Sequence, residues 1–162
     1  MTDHDRTKWD ARYEKDLGNV EPASIVKNYW HLAGCGTVLD IACGNGRNSL
    51  FLAKKGFTVD AVDISTVATR QLAGKHPGIN VFCQDLDTWE IPSAHYDLIV
   101  DIRFLDRRLF PTMRQGLKTG GVLIFESFIG PEKDPYCLVP NELLRAFGQL
   151  RIIYYEERQS DH

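Results

Sequence analysis

Asp40, Gly44, Gly46, Asp63 and Asp85 are the residues of this 162-residue chain whose types and spacing point to chemistry. Gly44 and Gly46 leave the backbone open to a ligand, because neither carries a Cβ. The helix expected just after them offers unpaired N–H groups and a partial positive charge, which suit a carboxylate or phosphate. Asp63 follows Gly44 by 19 residues. A carboxylate at that interval can accept hydrogen bonds from both hydroxyls of a ribose. Asp85 can accept from an adenine amino group, with Leu86 offering a backbone N–H. Each acid also has a plain structural reading: Asp63 as a helix cap or turn residue, Asp85 as a turn acid.

The elements that must hold these residues follow from the patterning. Thr37-Val38-Leu39-Asp40-Ile41 is an apolar run that breaks into Gly44-Asn45-Gly46, and Arg47 to Lys55 restarts as a helix closed by Gly56. Phe57 to Val62, Ile79 to Cys83, Tyr96 to Val100, Val122 to Glu126 and Leu150 to Tyr155 read as further strands. Helical spacing appears in Ile25 to Ala33, in Val67 to Leu72 behind a Ser65 cap, in Leu109 to Leu117 and in Pro140 to Phe147. Lys118 to Gly121 reads as a turn. Strands alternating with helices of this length predict an α/β, doubly wound, mostly parallel sheet. Its ligand loops gather at the carboxyl ends of the strands. A first helix is expected near Thr7, with Thr7 and Asp10 resembling a capping arrangement. Trp9 and Tyr13 share one face of it, either docking the helix or forming a lid over the glycine turn.

The glycine pattern separates two nucleotide classes. A dinucleotide fingerprint has a third glycine where this chain has Ser49. Asp40, at the end of the first strand, would sit against a pyrophosphate but suits an ammonium or sulfonium group. Both features favour S-adenosyl-L-methionine over NAD.

With these residues in place, the chain resembles the class I S-adenosylmethionine-dependent methyltransferases. The motifs are Val38 to Gly46, Val59-Asp60-Ala61-Val62-Asp63-Ile64-Ser65, Tyr96 to Val100 and Leu117 to Gly121. Cys43 to Ser49 and Trp9-Asp10-Ala11-Arg12-Tyr13 are most similar to the small tellurite-resistance-type members. The resemblance implies S-adenosyl-L-methionine as cofactor. It implies contacts from Tyr13, Asp40, Ala42, Gly44, Asn45, Gly46, Asp63, Ile64, Asp85, Leu86 and Arg103. Gly44 and Gly46 would border the methionine moiety and Asp40 its amino group. Asp63 would hold the ribose, Asp85 the adenine, and Ile64 and Leu86 would flank the ring. A seven-stranded sheet with an antiparallel last strand is also implied. Glu156 to His162 is too short and polar for that strand, which therefore appears missing: a truncation, a lost tail or a strand from another chain are the alternatives. An unpaired sheet edge, open to pairing with another chain, is expected.

The remaining expectations are coarser. Composition (43% hydrophobic, 25% charged) is that of a globular protein, and the formal net charge of −3 argues against a nucleic-acid surface. One domain over residues 1–162 is expected, with 1–34 as an N-terminal helical cap. No window is apolar enough to span a bilayer, and Met1 to Asp5 is no signal peptide. Scattered Cys35, Cys43, Cys83 and Cys137 fit a reducing, cytoplasmic setting and no metal site. The expected activity is in-line methyl transfer to a small-molecule acceptor. A non-catalytic S-adenosylmethionine-binding module and, less favoured, a nicotinamide oxidoreductase stay open. No catalytic residue is assigned; Asp101 and, less favoured, His95 are the candidates for a base, and Tyr136 could face a substrate. Arg103, Arg107 and Arg108 form either an anion site or a solvated charged loop.

Overall fold

The computed structural model describes residues 3–16 and 18–158. Helices α1 (Asp3–Lys15) and α2 (Ser24–Tyr29) lead into the sheet. Strands β1 (Thr37–Ile41), β2 (Thr58–Asp63) and β3 (Ile79–Cys83) alternate with helices α3 (Arg47–Lys54) and α4 (Thr66–Leu72). Strand β4 (Tyr96–Ile102), helix α5 (Phe110–Gly116), strand β5 (Leu117–Glu126) and helix α6 (Glu142–Ala146) complete the described elements. All pairings are parallel, in the order β3-β2-β1-β4-β5. This is the doubly wound α/β sheet that the strand–helix alternation requires.

Alternation along the strands sends side chains to two cores. Val38, Val59, Leu98 and Val100 pack on one face with Val26 of α2 and Leu52 of α3. Leu39, Ile41, Val62 and Ile99 pack on the other with Met113 of α5 and Phe147 beyond α6. Strands buried on both faces read as near-continuous apolar runs, as β1 and β4 do. The strand order reverses beside β1, with β2 on one side and β4 on the other. A crevice opens at such a switch point, beyond the carboxyl ends of the strands.

Four sequence expectations are corrected. Helix α1 begins at Asp3 rather than near Thr7. Thr7 Oγ1 donates to the Asp3 carbonyl within the helix at 2.9 Å instead of capping it. Lys118 to Gly121 does not form a separate turn; it is taken into an irregular β5, whose register with β4 shifts between Tyr96 and Leu98. Residues 150–155 form no strand: Ile152, Ile153 and Tyr154 are exposed, and Tyr154 stacks on Tyr29 of α2 at 4.7 Å. Of the polar tail, residues 159–162 lie outside the described residues, as do Met1 and Thr2 at the other end. No helix of the described residues is long and apolar enough to cross a membrane.

Candidate functional site

The cleft sits over the carboxyl ends of β1, β2 and β4, under α1. Its floor is the turn Ala42-Cys43-Gly44-Asn45, and Asp40, Asp63, Ile64, Leu86, Ile102 and Phe104 form its walls. Trp9, Arg12 and Tyr13 of α1 roof it, and Arg47 and Arg103 stand at its sides. Ala42 and Gly44 both take left-handed backbone, φ 51° and 55°. That geometry strains an alanine and costs a glycine nothing. A Cβ built on Gly44 would lie 2.4 Å from the Tyr13 hydroxyl oxygen, so only glycine lets Tyr13 reach the turn.

Asp63 organises the turn. One carboxylate oxygen accepts the Gly44 N–H and the other the Ser65 N–H, each at 2.8 Å. Burial nevertheless raises its pKa above the ordinary carboxylate value, and the charge of Asp10 adds to the effect. Asp40 is buried beside it and accepts a short hydrogen bond from Ser49 Oγ at 2.6 Å. Burial, helped by the Asp63 charge, pushes its carboxyl up to about 7. The site thus holds two acids whose ionised forms burial disfavours, with Arg47 only partly offsetting this at Asp40, and a cationic group placed against them would stabilise those ionised forms. Burial and the same Asp63 charge push the Tyr13 phenol up to about 12.

Of the eleven expected contacts, nine line the cleft: Tyr13, Asp40, Ala42, Gly44, Asn45, Asp63, Ile64, Leu86 and Arg103. Gly46 does not. It caps α3 in left-handed backbone, and its missing Cβ makes room for the Leu72 side chain. Asp85 does not either; its carboxylate closes a turn by accepting the Asp87 N–H at 2.9 Å. The arginine cluster also divides. Arg107 is paired with Glu142 at 2.5 Å, and Arg108 with Asp87 and Asp106 at 2.6 and 2.7 Å. Arg103 alone of the three lines the cleft, 3.9 Å from Glu126 and 5.6 Å from the ring of Phe128. His95 lies at the amino end of β4, its N–H on the Gly116 carbonyl, at the far edge of the sheet. Tyr136 is exposed on a loop outside the cleft. Asp101 is fully buried at the end of β4, and neither carboxyl oxygen has a well-formed hydrogen bond, the Phe104 backbone N–H being the group that eases its charge.

Sequence reasoning missed Arg12, Arg47 and Asn48, which also line the cleft. Arg47 Nη1 donates to the Glu21 carbonyl at 3.1 Å and Asn48 Oδ1 accepts the Ala23 N–H at 2.9 Å, tying the segment before α2 to α3. The sequence signal for Arg47 and Asn48 was position in the first turn after the glycines, and for Arg12 a place on the helix that carries Trp9 and Tyr13.

The fold and this site define a class I S-adenosylmethionine-dependent methyltransferase domain. The chain belongs to the methyltransferase domain family, whose model matches residues 38–121. It is 27% identical over 138 residues to a ribosomal protein L11 methyltransferase of Campylobacter fetus, covering 81% of this chain and 46% of that protein. It is 31% identical over 99 residues to a ubiquinone biosynthesis O-methyltransferase of Coxiella burnetii, covering 56% of this chain and 42% of that one. The chain spans less than half the length of both. TehB from Haemophilus influenzae shares the fold, with TM-score 0.74 and 22% identity over 93% of this chain and 58% of its own.

Proposed function

We propose that this chain binds S-adenosyl-L-methionine in the cleft and directs methyl transfer to a small-molecule acceptor. The observation that carries the reading is the pair of buried acids, Asp40 and Asp63, converging on one glycine turn. Gly44 and Asn45 lie along the methionine moiety, and Asp40 supplies a carboxylate to its cationic groups. Asp63 keeps free lone pairs beside its two backbone donors and accepts from the ribose hydroxyls. Ile64 and Leu86 clasp the adenine ring. Tyr13 closes the cleft from above. Arg103, at the mouth beside Phe128, serves the acceptor rather than the cofactor.

The bound sulfonium supplies an activated methyl on a good leaving group. The chain's own contribution is position, orientation and exclusion of water. Trp9, Tyr13 and Phe104 wall the cleft with apolar and aromatic surface, which keeps solvent from the displacement. A base is required only where the acceptor atom holds a proton at working pH.

Incubation with S-adenosylmethionine and a panel of small thiols, oxyanions and carboxylic acids tests the reading. S-adenosylhomocysteine should accumulate with at least one acceptor. Tight S-adenosylhomocysteine binding with no turnover across the panel would favour a non-catalytic binding module instead.

A further inference from the structure

We propose that Asp10 is a positioning residue that latches α1 over the cleft, making α1 a lid whose docking is tied to cofactor occupancy. The proposal rests on the cofactor reading above. It starts from an oddity of α1: the helix buries no residue, yet it roofs the site. Its inner face is only half-buried, through Trp9, Asp10 and Tyr13, which gives it a modest hydrophobic reason to dock. Asp is also a poor choice for a helix interior, and Asp10 stands in the middle of α1.

Its side chain explains the placement. Asp10 does not pair with Thr7 in its own helix. It crosses to the start of α4, more than fifty positions away in sequence. One carboxylate oxygen accepts from Ser65 Oγ at 2.6 Å and from the Val67 N–H at 3.2 Å; the other accepts from Thr66 Oγ1 at 2.8 Å. Hydrogen bonds to an ionised carboxylate are shorter and stronger than neutral ones. The three bonds fix both the height and the rotation of α1 on the domain.

Ser65 carries the latch to the site. Its Oγ caps α4 by accepting the Ala68 N–H at 3.1 Å, and its own N–H is held by Asp63 at 2.8 Å. Asp63 in turn holds the Gly44 N–H. Three residues after Asp10 on the same helix, Tyr13 reaches the space above Gly44 that a Cβ would fill. The chain of contacts therefore closes on itself: Gly44, Asp63, Ser65, Asp10, α1, Tyr13 and back to Gly44. The same Asp63 that is positioned for a ribose is thus one residue removed from the group that pins the roof.

The inner side of the roof is only half-buried. Trp9 and Tyr13 stack at 6.1 Å, Arg12 lies 5.3 Å from the Trp9 ring, and all three face the cleft. Whatever fills the cleft completes their packing. Occupancy should therefore favour docked α1, and a docked α1 should favour occupancy, by the same factor.

The test uses the full chain, S-adenosylhomocysteine as probe, calorimetry for affinity and limited trypsin cleavage at Arg12 and Lys15 for docking. Saturating S-adenosylhomocysteine should protect α1 in the wild type. Asp10→Ala should lower the ligand-free melting temperature modestly through the acceptor lost from the Val67 N–H, lose that protection, and bind about tenfold more weakly, the loss expected for a hydrogen-bonded charged group. Asp10→Asn, whose amide can still accept from Ser65 and donate to Thr66, should fall between. Thr66→Val should add nothing in the Asp10→Ala background, since both changes remove one contact. Wild-type affinity and wild-type protection in Asp10→Ala would overturn the latch while leaving the cofactor reading intact. Absence of S-adenosylhomocysteine binding by the wild type would overturn both.

Discussion

The carboxylate of Asp63 holds the N–H of Gly44 at 2.8 Å, across 19 positions of sequence. The acid at the tip of the second strand thereby shapes the glycine turn that follows the first. The two halves of the expected nucleotide site are one hydrogen-bonded unit rather than two neighbours.

Asp63→Ala should therefore destabilise the ligand-free protein as well as weaken binding. It strips the acceptor from the N–H groups of Gly44 and Ser65. Orphaned N–H groups of this kind cost about 1–3 kcal/mol each. A drop of roughly 5 °C or more in melting temperature is expected for a domain of this size. An unchanged melting temperature would mean that the turn does not depend on Asp63.

Asp40 should make cofactor binding pH-dependent. Its carboxyl titrates at about 7 in the folded chain, raised chiefly by burial. A cationic ligand favours the ionised form, so affinity for S-adenosylmethionine should fall as pH drops through 7. Well below that point the loss approaches about tenfold per pH unit. Calorimetry in buffers of different ionisation heat should register proton release near pH 7. Asp40→Asn should abolish both the release and the pH slope.

Asp101 should cost stability. It is fully buried with no well-formed hydrogen bond, the Phe104 backbone N–H giving only partial relief, and burial raises its pKa well above the ordinary value, with the charge of Asp40 contributing. Such a group keeps its proton in the folded chain and loses it in the unfolded one. The native state then binds more protons, and stability falls as pH rises above about 4, the unfolded-state value. Asp101→Asn should raise the melting temperature of the ligand-free protein, by more at pH 8 than at pH 5. A constant or negative difference would contradict the assignment of a neutral carboxyl.

Arg103→Ala should lower kcat/KM for the acceptor about tenfold or more while changing S-adenosylhomocysteine affinity less than about threefold. Arg103 stands at the mouth in left-handed backbone, φ 62°, its N–H on the Glu126 carbonyl at 2.6 Å. Non-glycine residues held in such backbone are retained where the side chain must point one way. Equal losses in both quantities would return Arg103 to the cofactor.

What the sequence disclosed was local. Strands β1 to β5, the Gly44 turn and the Ser65 cap each carry a pattern readable within a few residues. What escaped was pairing across the molecule. Asp10 suits a box with Thr7 by spacing, but its partners are Ser65, Thr66 and Val67. Arg107 and Arg108 read as an anion site or a solvated charged loop until Glu142 and Asp87 arrive from other segments, with Asp106 pairing to Arg108 from two positions away. Residues 150–155 have strand composition, but a strand also needs a neighbour to bond, which composition does not reveal. Gly46 and Asp85 sit in the expected motif, but in the structure Gly46 makes room for Leu72 and Asp85 closes a turn with the Asp87 N–H, contacts that the motif does not encode.

The central claim is that the paired acids and the glycine turn form a site for a sulfur-containing adenosine ligand. Calorimetric titration of S-adenosylhomocysteine into the wild type and Asp63→Asn, with NADH as the comparison ligand, tests it most directly. Saturable binding at one site per chain, weakened about tenfold or more in Asp63→Asn by loss of a charged acceptor, with no heat from NADH, is the expected result. A folded wild type that gives no heat with S-adenosylhomocysteine, or an Asp63→Asn protein of equal affinity, would contradict it.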